Sequence, residues 1–176
     1  MRTTALCAAL AVVALGACAS IQGMIGTPPP AAVATLAPAS GSSVTGTVSF
    51  AQQGGKVLVR ADVSGLPPGG HGFHVHENGD CSAADATSAG GHFNPLAKPH
   101  GNPGLGEHHA GDMPMLEADA SGHAKLNVVL EPMSLGGGAA DVIGKSVVVH
   151  KDVDDYKTQP AGNSGARIAC GVIRKS

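Results

Sequence analysis

Tryptophan is absent from the chain, tyrosine occurs once and phenylalanine three times. An interior must therefore be built from Val, Leu, Ile and Ala, and nine histidines are too many to be stand-ins for aromatic packing. Strong charge of either sign is missing too: the formal net charge is −2, with no basic run or stripe. This excludes bulk electrostatic binding, so no nucleic-acid partner is expected. Few stretches carry a helical period, while 26 Gly and 12 Pro punctuate the chain and point to strands joined by turns. No thiolate cluster exists for an iron–sulfur centre or a four-cysteine zinc site, and no His-Glu-x-x-His motif of the zinc-protease type occurs. At 176 residues the chain is long enough for one domain with its own core.

What is present begins with an export signal. The apolar run ALCAALAVVALGA after Arg2 is short for a bilayer span. It ends in LGAC, Leu15 to Cys18, which resembles a bacterial lipobox. Residues 1–17 are read as signal peptide, and Cys18 as the lipidated first residue of the mature protein, anchoring it to a membrane. An ordinary secretory signal cleaved near ACAS is the alternative. Either way the protein is exported to the periplasmic or cell-envelope side. Cys7 leaves with the signal and Cys18 carries lipid, so Cys81 and Cys170 remain, and in an oxidising compartment they read as one disulfide. Residues 18–43, rich in Ala, Pro, Gly and Ser, are read as a semi-extended tether, which starts the folded domain at 44–176.

From Val44 the apolar period becomes two. VTGTVSFA alternates Val44, Gly46, Val48 and Phe50 against Thr45, Thr47 and Ser49; KVLVRADV sets Val57, Val59, Ala61 and Val63 on one face. HGFHVHE, DMPMLEAD, HAKLNVVLE, KSVVVH and ARIACGVI are further strand candidates, separated by Gly-rich turns. Such a succession predicts an all-β antiparallel sandwich or barrel. Residues 77–111 and 151–165 resist strand assignment, and loops of that length in a small domain are usually functional.

His74 and His76, two apart on a strand, project from one face at about 7 Å, so their imidazoles can converge on one ion. A lone pair of this kind is a weak signal. The long loop adds His92, His100, His108, His109 and Asp112, and His150 ends an apolar strand. Together they predict a metal site, and imidazoles with one carboxylate suit copper and zinc.

GFHVHENGDC, GGHFNPLAKPHGNP, HAGD, VVVH and GNSGARIACGVI, in that order, resemble the copper,zinc superoxide dismutases over residues 44 to 176. The resemblance implies an eight-stranded antiparallel Greek-key barrel with two long functional loops, and an antioxidant oxidoreductase that converts two superoxide anions to oxygen and hydrogen peroxide. It assigns His74, His76, His92 and His150 to a redox copper, and His92, His100, His109 and Asp112 to a structural zinc. His92 then bridges the metals and passes a proton, while Arg167 attracts and orients the anion. Asp154 is expected behind the ligands, linking His74 to His100, and His71 braces the barrel beneath copper. His108 is expected to be exposed and His123 to lie at the surface. Bacterial members are monomers or dimers, so a homodimer stays open. A tethered copper or zinc carrier on the same fold is the rival reading, disfavoured because the ligand set and Arg167 are all present.

Overall fold

The computed structural model describes residues 27–176, so the predicted signal, Cys18 and the first part of the tether lie outside the described residues. The strands are β1 Ala32–Pro38, β2 Thr45–Gln53, β3 Lys56–Ser64, β4 Gly69–His71 and β5 Phe73–His76. They continue with β6 Leu116–Ala118, β7 His123–Leu130, β8 Ser146–His150, β9 Arg167–Val172 and β10 Arg174–Lys175. Apart from one short 3-10 turn at Thr87–Ala89, no helix occurs among the described residues.

All strand pairings of the two sheets are antiparallel. The main sheet runs β5-β8-β9-β1-β2-β3-β7, with β10 also against β1, and β4 pairs β6. The Asp119–Gly122 turn carries β6 into β7, where Asp119 N–H donates to the His123 carbonyl at 3.0 Å. The sheet curls so that its two halves share one interior. Val48, Phe50, Val57 and Val59 from β2 and β3 meet Phe73, Val75, Val147 and Val149 from β5 and β8 in a single buried cluster. Aliphatic side chains supply most of that cluster. This is the expected all-β Greek-key barrel.

Three details differ from the sequence reading. The stretch read as tether contains β1, so the domain begins before residue 44. Ala32, Ala34 and Leu36 alternate inward with Val33 and Thr35 on the other face. Ala32 pairs with Phe50 and Leu36 with Gly46, while Ala37 crosses to Cys170 of β9. Small residues and flanking prolines hid a period of two that only neighbouring strands make worth burying. Secondly, HGFHVHE is not one strand but β4 and β5, broken at Gly72, whose N–H donates to the Asp152 carbonyl at 2.9 Å. A Cβ at Gly72 would stand 2.6 Å from Ser164 Oγ, so only glycine lets the two loops meet there. Thirdly, DMPMLEAD contributes only Leu116–Ala118 as strand, since its earlier residues serve the long loop.

Candidate metal centre

β5 presents Phe73 and Val75 to the core and leaves His74 and His76 on the opposite face, yet all four are buried. The long loop covers them by extending the edge of β5. Val75 N–H donates to the Gly111 carbonyl, Phe93 N–H to Val75, and Gly111 N–H to Phe93, at 2.8–2.9 Å. Asp112 is thereby set against His74, and His92 against His76. His150 arrives from β8 just past a register shift at Val149/His150, the kind of bulge that re-aims a side chain. Distant stretches of chain thus bring their imidazoles to one face of β5.

Two quartets form: His74, His76, His92 and His150, and His92, His100, His109 and Asp112, each with ligand-type atoms within 4.8 Å of one another. Every member is buried, and His92 belongs to both. Its Nδ1 lies 3.0 Å from Asp112 Oδ1, while its Nε2 is buried with no hydrogen-bond partner. His74 Nδ1, His100 Nδ1 and His109 Nδ1 are likewise without a hydrogen-bond partner.

Outer partners decide which nitrogen of each ring is bare. His74 Nε2 donates to Asp154 Oδ2 at 2.7 Å and His100 Nε2 to Asp154 Oδ1 at 2.9 Å, which leaves both Nδ1 atoms as lone pairs. His76 Nδ1 donates to the Gly90 carbonyl at 2.9 Å and His150 Nδ1 to the Gly165 carbonyl at 3.2 Å. Their Nε2 atoms then face each other at 3.3 Å as two acceptors, which cannot bond to one another. His100 Nδ1 and His109 Nδ1 similarly face Asp112 Oδ1 at 3.1 and 3.4 Å. Lone pairs turned inward on two points are the arrangement a cation resolves. The residues fit copper on the imidazole side and zinc on the side with the carboxylate.

Protonation follows the same geometry. Burial, reinforced by neighbouring imidazoles, pushes His150 down to about 3, and burial brings His74 to about 4 despite its bond to Asp154. Burial also lowers His76 and His92. His100 goes the other way in the metal-free protein: burial opposes its charge, but the Asp112 and Asp154 carboxylates on either side of its ring outweigh that and raise it to about 9. Asp112 and Asp154, whose burial alone would raise them, are held well below the usual carboxylate range by the same histidines.

A cavity of about 400 Å³ opens on the centre, lined in part by His76, His92, His150, Pro160, Ala161 and Arg167. Arg167 Nη1 and Nη2 donate to the Ala86 and Gly90 carbonyls, each at 2.7 Å. Those carbonyls sit on the loop joined to β9 by the Cys81–Cys170 disulfide. His71 is buried with Nδ1 2.9 Å from the His150 carbonyl and Nε2 2.8 Å from that of Pro67, between the metal face and the barrel. His108 lies outside both quartets, but it is half-buried rather than exposed, because its Nδ1 donates to the His109 carbonyl at 2.8 Å. His123 bonds Asp62 on the outer face of β3 and β7. Tyr156 and Gln159, both against His100, were not singled out from sequence; their only signal was their place in an unassigned loop.

An antiparallel barrel carrying two buried clusters, one of four histidines and one of three histidines with Asp112, that share the His92 imidazole defines a two-metal protein of the copper and zinc type. The chain belongs to the copper/zinc superoxide dismutase family, whose model matches residues 44–173. It is 40% identical over 136 residues to a Cu-Zn superoxide dismutase of Aquifex aeolicus, covering 74% of this chain and 80% of that protein. A Cu-Zn superoxide dismutase of Deinococcus radiodurans is 41% identical over 144 residues, covering 74% and 78%. Among solved structures, the clock protein EA4 superposes with a TM-score of 0.76 at 40% identity, over 86% of this chain and 98% of that one. A double mutant of a superoxide-dismutase-like protein from Bacillus subtilis gives 0.71 at 39% identity, over 79% and 94%.

Proposed function

We propose that this chain is an exported superoxide dismutase that turns two superoxide anions and two protons into oxygen and hydrogen peroxide. The observation that carries this reading is the pair of buried quartets sharing His92, beside a cavity with Arg167 in its wall. His74, His76, His92 and His150 would hold copper; His92, His100, His109 and Asp112 would hold zinc. Copper there supplies a one-electron couple that oxidises one superoxide and reduces the next, and zinc supplies a redox-inert charge of fixed position.

The chain's own residues supply attraction, orientation and a proton. Arg167 places a permanent cation at the cavity, where low-dielectric walls focus its field on a small anion despite the protein's net −2 charge. Its two carbonyl partners hold the guanidinium plane in one orientation. His92 Nε2, buried with no hydrogen-bond partner, would take up a proton from solvent and pass it to the reduced anion. Asp154 fixes the ring directions of His74 and His100, and His71 ties the His150 main chain to the barrel.

The Cys81–Cys170 disulfide fits an oxidising compartment and therefore export. We further assign Cys18 as the lipid attachment point, supported by the LGAC motif. Metal analysis of the purified protein beside a dismutation assay, with cyanide as a copper-directed inhibitor, tests the activity. One copper and one zinc per chain with cyanide-sensitive turnover is the expected result. Full metal content without turnover would favour a metal carrier.

A further inference from the structure

Three side chains of the segment leaving β8 converge on one histidine of the zinc-type quartet. Asp154 accepts the Nε2–H of His100. Tyr156 lays its ring nearly parallel to the His100 imidazole, with centroids 6.4 Å apart and planes 14° apart, and its hydroxyl accepts the Met115 N–H at 2.9 Å. Gln159 does something different. Its Oε1 accepts the His100 main-chain N–H at 2.8 Å, and its Nε2 donates to the His100 carbonyl at 2.9 Å. One side-chain amide thus satisfies both main-chain polar groups of a single residue, as a neighbouring strand would. Among the described residues no other member of either quartet is held in this way.

The consequence follows from where His100 sits. It lies in a stretch without regular secondary structure, so no ladder fixes its backbone. Asp154 sets the ring's rotation but not the position of the main chain that carries it. Gln159 supplies that missing restraint. It is also followed directly by Pro160 and Ala161, which line the cavity beside Arg167. The same amide therefore joins the carrier of His100 to the wall through which an anion approaches.

We propose that Gln159 is a positioning residue: it presets the His100 backbone for metal and couples occupancy of that quartet to the cavity wall. This rests on the reading that His92, His100, His109 and Asp112 hold zinc. Two variants separate the role from general stability. Gln159→Met keeps the volume and removes both hydrogen bonds, whereas Gln159→Glu keeps an acceptor for the His100 N–H but turns a carboxylate oxygen on the His100 carbonyl. Zinc affinity is measured by chelator competition, the visible spectrum is recorded with cobalt in place of zinc, and the metal-free protein is titrated with urea.

Gln159→Met is expected to weaken zinc about tenfold, the low end of what outer partners of metal ligands contribute. Its cobalt bands should shift as the His100 nitrogen loses its fixed direction, and Gln159→Glu, with one contact kept and the other made repulsive, should restore neither to the parent value. A contact that only supports the fold would lower metal-free and zinc-bound stability equally and leave zinc affinity unchanged. Unchanged affinity and an unchanged cobalt spectrum in Gln159→Met, with zinc bound normally by the parent protein, would overturn the positioning role alone. A parent protein that binds no zinc would overturn the site reading and the positioning role together.

Discussion

His76 and His150 each commit Nδ1 to a main-chain carbonyl, so what they offer inward is a lone pair, not a proton. Replacing His150 by alanine removes one of four inward nitrogens and leaves the other quartet whole. The expected outcome is loss of dismutation and an altered copper spectrum with zinc retained, checked by metal analysis and visible spectroscopy. Arg167 is a separate case, since it faces the cavity without joining either quartet. Arg167→Ala should keep both metals and lose much of the rate, Arg167→Lys should recover part, and Arg167→Glu should be slowest. A lysine still attracts the anion, but it lacks the planar fork that two carbonyls hold here. The parent rate should fall as ionic strength rises, because screening shortens the field; stopped-flow assays at several salt concentrations check all four proteins. Sequence made the ligand types legible through the His74–His76 spacing and the family resemblance. Gln159 and Tyr156 were not legible, because an amide and a phenol in a loop carry no pattern until the fold sets them against His100.

Among the elements, β2 and β3 could be read from alternation because one face of each packs on the core, whereas β7, β8 and β9 were legible as short apolar candidates between Gly-rich turns, β8 being buried along its whole length. β1 could not, since its inward residues are Ala32, Ala34 and Leu36 in a setting of prolines. The break at Gly72 was equally hidden, because it depends on Asp152 and Ser164, which only the fold brings beside it. The long loop was recognised by its lack of pattern, and its attachment to the edge of β5 explains how it holds shape. Gly111 sits at that attachment, where a Cβ would collide with the Val75 carbonyl and approach Phe93 Cβ at 3.1 Å. Gly111→Ala should destabilise the protein by about 1–3 kcal/mol, the usual range for overpacking. It should also reduce zinc content, since Asp112 is the next residue; calorimetry and metal analysis read the two effects. A melting temperature equal to the parent's would mean that the loop edge yields freely.

For the molecule as a whole, the metal-free protein should have an acid-sensitive stability set by its buried histidines. His74 and His150 have folded values of about 4 and about 3 against an ordinary 6.5, so on acidification the unfolded chain binds protons first. Their contribution is complete above 6.5 and is lost as pH falls towards those lower values. The depressed Asp112 and Asp154 add a loss in the same direction at still lower pH. His100 has the opposite sign: its share is complete below 6.5 and lost as pH rises through about 9. Urea midpoints of metal-free protein should therefore fall between pH 7 and pH 4, and an unchanged midpoint across that range would contradict the burial of neutral imidazoles. At the other end of the chain, Cys18→Ser should abolish lipid labelling and stop normal maturation, whereas mass spectrometry of a mature N-terminus beyond residue 18 without lipid would leave a soluble secreted enzyme. The pairing of β1 with β9 and β10 also orders events in time. Ala32 lies against Lys175 and Ala37 against Cys170, so the first strand to emerge has no complete set of neighbours until the last has followed. A chain threaded across a membrane from its N-terminus must wait for its final residues before the barrel can close. On the proposed export as an extended thread, the chain would cross unfolded and metal-free and would acquire both ions on the far side.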